Sequence, residues 1–241
     1  MRILHVTKKL PPVVGGDATA VSSLTRAQTR RGHEVHVLVY RAAGIETTDH
    51  VHPVGPTQTP AGLDRVTLQR FRGMRAMRAW ATENLPSLRP DIIHAHAVDV
   101  GASVVRIAKE QGLPVVLTCH GVWYPHRPWW SLAGRMERSL LRGGYDAITS
   151  VDPASVQALR DAGVRDAILV ANGVDLAEFP DRARGDDALR YLFVGRHVYQ
   201  KGIDSLLEAA ARARPHLGNR FVLELAGDGP ERRHLERQAR N

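Results

Sequence analysis

The sequence contains a single cysteine, Cys119, only four lysines among 33 basic residues, and no apolar run as long as a membrane-spanning helix. One cysteine excludes an internal disulfide and fits a reducing compartment. Because Met1 and Arg2 lead directly into a strand pattern, no signal peptide is recognisable, and we expect a cytoplasmic protein. Runs of five or more like charges are also missing, which argues against nucleic acid as a partner.

The composition otherwise suits a folded protein with an anionic partner. Hydrophobic residues make up 43% of the chain and charged residues 24%, which is ordinary for a globular protein. The formal net charge of +8 favours a nucleotide diphosphate or a phospholipid surface as ligand. Since arginine supplies nearly all of the positive charge, a bias in genome composition explains the same excess.

Short runs of Val, Ile and Leu alternate with longer amphipathic stretches over residues 1–180. This alternation is typical of an α/β domain, in which helices cross over between parallel strands. Apolar runs such as Val115–Leu117 predict strands that are buried on both faces. We therefore predict a Rossmann-like domain with strands at 2–6, 34–40, 91–95, 114–118, 146–150 and 167–170, and helices at 17–31, 72–85, 98–111, 131–143 and 153–162.

A second segment follows the first domain. Residues 181–188 are polar and charged, so we interpret them as a linker. The alternation restarts over 189–241, and two strands alone leave a sheet with an open edge, which invites self-association. We expect an incomplete, truncated second Rossmann-like domain with strands at 190–194 and 220–226 and helices at 203–213 and 231–240.

Two glycines, Gly15 and Gly16, lie between the first predicted strand and the first predicted helix. A residue without Cβ lets the main chain approach an anion closely, and the amino end of a helix offers unpaired N–H groups. We expect Asp17 or Thr19 to cap this helix and Gly32 to end it. The glycine pair is a candidate site for a diphosphate, although a surface turn gives the same pattern.

Two cations follow the first strand of the second segment, where Arg196 stands directly after Gly195 and Lys201 directly before Gly202. A planar guanidinium and an ammonium at the carboxyl end of a strand can neutralise the charge on a departing diphosphate. Cations in loops are, however, often only solvated. The next predicted strand ends in a glycine-rich turn formed by Gly227, Asp228, Gly229 and Pro230.

Seven motifs occur in one order along nearly the whole chain. They are Pro11–Gly16, Arg31–Val35, Asp91–His96, Thr118–Gly121, Asn172–Asp175, Gly195–Gly202 and Gly227–Pro230. With this ordered set, the sequence resembles the retaining GT-B glycosyltransferases of family 4. The resemblance implies two Rossmann-like domains facing a cleft. It places a nucleotide-sugar donor mainly on the second domain and a sugar, lipid or small-molecule acceptor mainly on the first.

The resemblance also implies roles for particular residues. Gly16 would lie against the donor diphosphate, Arg196 and Lys201 would bind that diphosphate in place of a metal ion, and the turn at 227–230 would lie on the nucleotide side. His120 would face the donor sugar near the reacting carbon. With these cations in place of a metal ion, no metal or other cofactor is expected. The resemblance also implies that the leaving phosphate itself takes the acceptor proton, so that less protein acid–base machinery is required.

The family's paired glutamates would follow Asn241, so we expect the chain alone to be incomplete and inactive. Two other functions stay open. One is a sugar-nucleotide epimerase or a phosphorylase of the same fold, and the other is a non-catalytic nucleotide-binding or interaction module. Product analysis distinguishes the enzymes, since transfer, isomerisation and phosphorolysis give different sugars.

Further candidates belong to the acceptor side. His94 and His96 point to the same side of a strand, and with Asp99 they could bind a metal, but this spacing favours structural or acceptor contacts. Trp123 and Tyr124 stand in an aromatic segment that also contains arginines. Such a segment suits either an acceptor or a lipid headgroup layer, so peripheral contact with the inner face of the membrane is a second hypothesis.

Overall fold

The computed structural model describes residues 1–13, 15–40, 44–54, 63–121, 132–178 and 189–240. The chain divides into two compact units, a first unit at Met1–Glu178 and a second unit at Phe179–Asn241. The predicted linker at 181–188 and the aromatic pair Trp123 and Tyr124 lie outside the described residues.

The first unit is built on one parallel sheet, as the sequence predicts. In the described part, its strands follow the order β3-β2-β1-β4-β5-β6-β7, and every neighbouring pair is parallel. The strands are β1 (Arg2–Thr7), β2 (Glu34–Val39), β3 (Val51–Pro53), β4 (Ile92–Ala95), β5 (Val115–Cys119), β6 (Ala147–Ser150) and β7 (Ile168–Leu169). The helices are α1 (Gly16–Arg30), α2 (Leu63–Leu88), α3 (Val98–Glu110), α4 (Leu132–Leu141) and α5 (Pro153–Asp161), followed by a 3₁₀ turn at Leu176–Glu178.

The sheet is covered on both faces, and the two faces differ in character. On one face, β1, β4 and β5 pack against α2 and α3 through a large apolar cluster that includes Leu4, Ile93 and Leu117. On the other face, Val37 and Val39 of β2 pack in a smaller cluster that includes α1. Because side chains alternate along a strand, the neighbours of the first cluster's residues point toward the α1 side. There the strand ends carry the polar residues His5, His94 and Thr118.

Several predicted boundaries are wrong for physical reasons. Helix α2 is longer than the predicted 72–85, and β3 was not predicted at all. A three-residue edge strand that ends in proline carries too little pattern to be recognised. Helix α1 has Gly15 as its N-cap and no side-chain capping hydrogen bond, so neither Asp17 nor Thr19 caps it. Gly32, with φ at 81°, does follow the helix end in the left-handed conformation.

The second unit repeats the strand–helix alternation on a smaller scale. It contains a parallel pair, β8 (Leu189–Val194) and β9 (Phe221–Ala226), joined by the crossover helix α6 (Ile203–Leu217) and followed by α7 (Arg232–Gln238). A 3₁₀ turn at Tyr199–Lys201 precedes α6, and another at Gly218–Arg220 follows it. In neither unit is a described helix both long and apolar enough to cross a membrane.

Candidate functional site

A cavity of about 360 Å³ opens in the first unit beside α1, at the carboxyl ends of β4 to β7. The strand order reverses next to it, because β1 pairs with β2 on one side and β4 on the other. In open parallel sheets, ligands bind outside the carboxyl ends of the strands at such a point. The lining comprises Ala20, Ser23, Leu24, Arg26, Ala27 and Arg30 from α1, together with His94, His96, Thr118, His120, Val151 and Val170–Asp175.

His120, the predicted catalytic histidine, directly follows β5 and lines this cavity. Its Nε2 lies 3.2 Å from Nδ1 of His96. Its Nδ1 is buried and has no hydrogen-bond partner among the described residues. Burial lowers the pKa of the His120 imidazole, although the nearby charge of Asp17 acts in the opposite direction. The structure thus places a neutral histidine at the cavity, while its catalytic role stays a prediction.

The acceptor-side candidates His94 and His96 also line the cavity, and their rings lie 4.2 Å apart. A residue that the sequence analysis missed completes this cluster, since His5 Nδ1 is 2.8 Å from His96 Nε2. Thr118 Oγ1 lies 2.7 Å from His94 Nε2. The sequence does contain one indication of this role, since His5 is a polar residue in the otherwise apolar run that forms β1. His5 pairs in register with His94 of β4.

Burial decides the charge state of this cluster. It lowers the pKa of His5 to about 4, although a hydrogen bond with Gln28 raises it slightly. Burial, followed by the charges of His5 and His120, lowers the pKa of His94 to about 3. Burial and the neighbouring histidines likewise hold the pKa of His96 well below its usual range. All three rings are therefore neutral at pH 7, the form in which histidine can bind a metal or relay hydrogen bonds.

The structure changes the metal hypothesis. Asp99, which the less favoured metal interpretation joined to His94 and His96, pairs with Lys8, whose Nζ lies 2.9 Å from the carboxylate. Among the described residues, His5, His94 and His96 are the group whose nitrogens come within 4.8 Å of one another. Two of those nitrogens already share a hydrogen bond, so the arrangement is satisfied without an ion. The expectation of a metal-free site stays a prediction.

The glycine pair lies at the amino end of α1. Gly15 is extended, and a Cβ there would lie 2.2 Å from Lys9 Nζ, the mobile end of a side chain that would have to shift to make room. A Cβ on Gly16 would meet nothing within 4 Å, so the first turn of the helix is open to a ligand. Lys9 pairs with Asp17 at 2.9 Å. Burial alone would raise the pKa of Asp17, but the bonds and charge of Lys9 leave it lowered.

Two residues missed by the sequence analysis join α1 to the loop after β7. Arg30 Nη2 lies 2.7 Å from the Asp175 carboxylate, and both side chains line the cavity. Because both side chains are partly exposed, we expect this ion pair to contribute less than about 1 kcal/mol. The pair links α1 to the loop after β7 at the cavity rim, where its two charges compensate each other.

In the second unit, the predicted diphosphate and nucleotide segments lie side by side. The His197 N–H donates to the Asp228 carbonyl at 2.9 Å, and the Glu231 N–H donates to the His197 carbonyl at 3.1 Å. Arg196, which follows β8, and Lys201, which precedes α6, are both exposed. The two cations thus border the carboxyl end of the strand and the amino end of a helix, a suitable place for an anion. Their predicted roles are untested.

Gly227→Ala is expected to lower the free energy of unfolding of the second unit by about 3 kcal/mol. The reason is that Gly227 has φ at 150°, and a Cβ there would lie 1.9 Å from the Gly195 carbonyl oxygen. Amide hydrogen exchange in β8 and β9 should accelerate about 100-fold, whereas Glu208→Ala, on the exposed surface of α6, should leave it unchanged. Unaltered exchange in Gly227→Ala would show that the loop does not pack on β8.

The two parallel sheets and the cavity at the strand-order reversal are features of Rossmann-like α/β proteins, the class to which the GT-B glycosyltransferases belong. Comparisons with known proteins agree. Residues 14–178 match the family model described as Glycosyltransferase Family 4, and residues 176–241 match the model Glycosyl transferases group 1. The chain belongs to Glycosyltransferase Family 4, which confirms the resemblance seen in the sequence.

The individual relatives share less than a third of their aligned residues with this chain. A glycogen synthase of Mycobacterium tuberculosis is 29% identical over all of this chain and 64% of its own length. A GDP-mannose-dependent alpha-(1-6)-phosphatidylinositol dimannoside mannosyltransferase from the same species is 27% identical over 99% of this chain and 65% of its own length. The chain thus spans about two thirds of these relatives. The structure of Anabaena Alr3699/HepE in complex with UDP-glucose superposes with a TM-score of 0.68 at 18% identity, over 99% of this chain and 65% of that one.

Proposed function

We propose that this chain belongs to a glycosyltransferase that transfers a sugar from a nucleotide-diphosphate sugar to an acceptor with retention of anomeric configuration. In this proposal residues 1–180 form the acceptor-side domain, 181–188 the linker and 189–241 the opening of the donor-binding domain. One observation carries it: a chain that matches glycosyltransferase models in both units has a partly buried histidine, His120, in a cavity at the strand-order reversal of its first sheet.

A nucleotide-sugar donor is supported by the compared proteins and by charge. One relative is named for GDP-mannose, and one structural neighbour was solved with UDP-glucose. In this chain, the exposed Arg196 and Lys201 provide a guanidinium and an ammonium that suit a diphosphate. Their fixed charge would stabilise the leaving nucleotide diphosphate as the bond to the sugar breaks, without a metal ion.

The cavity of the first unit supports a sugar-sized ligand. Its volume of about 360 Å³ falls within the range of small-molecule sites, and its lining combines apolar and polar groups. We propose that His120 contacts the reacting sugar there, with His94 and His96 on the acceptor side. Front-face attack would then let the departing phosphate take the acceptor proton, so that few protein acids or bases are needed.

The test uses the full-length protein from the complete gene and a panel of UDP-, ADP- and GDP-linked hexoses. We expect release of a nucleoside diphosphate from at least one donor, unaffected by EDTA, and a product that keeps the donor's anomeric configuration by NMR. An isomerised donor or phosphate-dependent cleavage would replace the proposal with the epimerase or phosphorylase alternative. If the protein binds a donor but converts it with none of the acceptors tried, the non-catalytic module is favoured.

Two partner hypotheses rest on the sequence alone. The aromatic segment around Trp123 and Tyr124 could meet a lipid headgroup layer, and the exposed strand surface of the second unit could mediate self-association. Leu192 and Val194 of β8 are 64% and 72% exposed, which supports the second idea.

A further inference from the structure

Four side chains form one continuous hydrogen-bonded chain from α1 to the cavity. Gln28 Oε1 lies 2.7 Å from His5 Nε2, and His5 Nδ1 lies 2.8 Å from His96 Nε2. The last contact joins His96 Nδ1 to His120 Nε2 at a distance of 3.2 Å. His5 and His96 are 0% and 4% exposed, so no bulk water competes for these contacts.

The orientation of the Gln28 amide sets the direction of every bond in the chain. Gln28 presents its carbonyl oxygen to His5, and an oxygen in that position can only accept, so in this orientation His5 carries its proton on Nε2. A neutral imidazole has one N–H, and His5 Nδ1 must therefore accept from His96 Nε2. By the same step, His96 Nδ1 accepts from His120 Nε2. The last ring is left with a bare lone pair on Nδ1, the nitrogen that is buried without a partner among the described residues.

The argument requires neutral rings, and the surroundings supply that condition. Burial lowers the pKa of His5, His96 and His120. His94 lies against the chain but does not interrupt it, because its Nε2 contacts Thr118 Oγ1 at 2.7 Å. Thr118 in turn contacts Thr149 at 2.7 Å, which forms a separate branch.

We propose that Gln28, His5 and His96 are positioning residues that fix the tautomer of His120, a residue of the cavity lining, so that its Nδ1 carries a lone pair and acts as a hydrogen-bond acceptor. Such a nitrogen binds a hydroxyl group, which donates a proton, and disfavours a phosphate oxygen, which needs an N–H. Only the identification of that hydroxyl as one of a sugar rests on the proposed function. The tautomer itself is a property of the fold.

Nuclear magnetic resonance of histidine-labelled protein measures the tautomer without substrate. In long-range ¹H–¹⁵N spectra at pH 7.5, we expect His5, His96 and His120 to carry protons on Nε2 and a pyridine-type nitrogen at Nδ1. Substitution of each histidine in turn by glutamine assigns the signals. A wild-type spectrum with the proton on His120 Nδ1 would overturn the inference, whatever the variants do. Stoichiometric zinc bound by the histidine cluster would overturn it too.

Variants at the far end of the chain test the coupling. Gln28→Leu removes the acceptor, so we expect His120 to become a mixture of tautomers although the two residues do not touch. Gln28→Glu keeps an obligatory acceptor and should retain the wild-type tautomer. Gln157→Leu, on the exposed face of α5, is the matched control and should change nothing. A His120 spectrum that is unchanged in Gln28→Leu would contradict the coupling.

Kinetics of the full-length protein separate this inference from the proposed function. We expect Gln28→Leu to reduce kcat about tenfold with little change in KM, and Gln28→Glu to restore most of it. If the spectra agree but no donor is converted, the proposed function fails and the positioning chain stands. If turnover is normal and His120 is protonated on Nδ1, the reverse holds.

Discussion

Replacement of Arg196 by alanine is expected to lower the turnover of the full-length protein by about 100-fold or more, and Lys201→Ala by a similar factor. Both side chains are exposed beside the carboxyl end of β8, so we expect their removal to have little effect on folding. Their effect should therefore fall on the charge that develops on the leaving diphosphate. Measured with saturating donor, kcat should fall while the unfolding midpoint stays the same.

Two further variants sharpen this test. Arg212→Ala removes an exposed arginine from α6 and should leave kcat unchanged, which excludes a general effect of net charge. Arg196→Lys keeps the charge but loses the planar fork, so we expect only partial activity if the guanidinium binds two oxygens. Full activity in both Arg196→Ala and Lys201→Ala would exclude these residues from donor binding.

The sheet could be predicted because parallel strands leave a strong local signal. Runs such as those that became β1, β2 and β5 are short, apolar and separated by amphipathic helices, so their existence follows from the sequence. The short strand β3 carries no such pattern, and only its pairing with β2 makes it a strand. The cap of α1 also escaped prediction. The packing of Lys9 against Gly15 leaves Asp17 as its partner instead of a cap.

The candidate site could be predicted only in part, for a topological reason. His94 and His96 share one side of a strand by simple alternation, and His120 was found by resemblance. Their contact with His5 depends on β1 pairing with β4, which brings together residues 91 positions apart. The pairing of Asp99 with Lys8 escaped prediction for the same reason, because the lysine lies at the other end of this long connection. Neither fact is encoded in local spacing.

Acidification from pH 7.5 to pH 5 is expected to lower the free energy of unfolding of the first unit by about 4 kcal/mol. In the folded state the pKa values of His5 and His94 are lowered to about 4 and about 3, whereas an unfolded histidine has a pKa near 6.5. Above pH 6.5 the rings are neutral in both states, and full stability is present. As the pH falls below 6.5, these histidines become protonated in the unfolded chain but stay neutral in the folded protein. Each of the two rings therefore lowers the free energy of unfolding by about 2 kcal/mol at pH 5.

Urea unfolding followed by tryptophan fluorescence measures this loss in the first unit, because all four tryptophans precede residue 179. His94→Gln keeps a polar side chain but cannot titrate, so it should remove about 2 kcal/mol of the pH dependence between pH 7.5 and 5. His216→Gln, at an exposed position of α6, should leave the pH dependence as it is. The carboxyls with lowered pKa values, such as Asp146, lose their contribution only at more acidic pH, so the chosen window isolates the histidines. A free energy of unfolding that stays constant down to pH 5 would mean that these histidines bind protons as readily in the folded protein as in the unfolded chain, which would contradict the effect of burial on their pKa values.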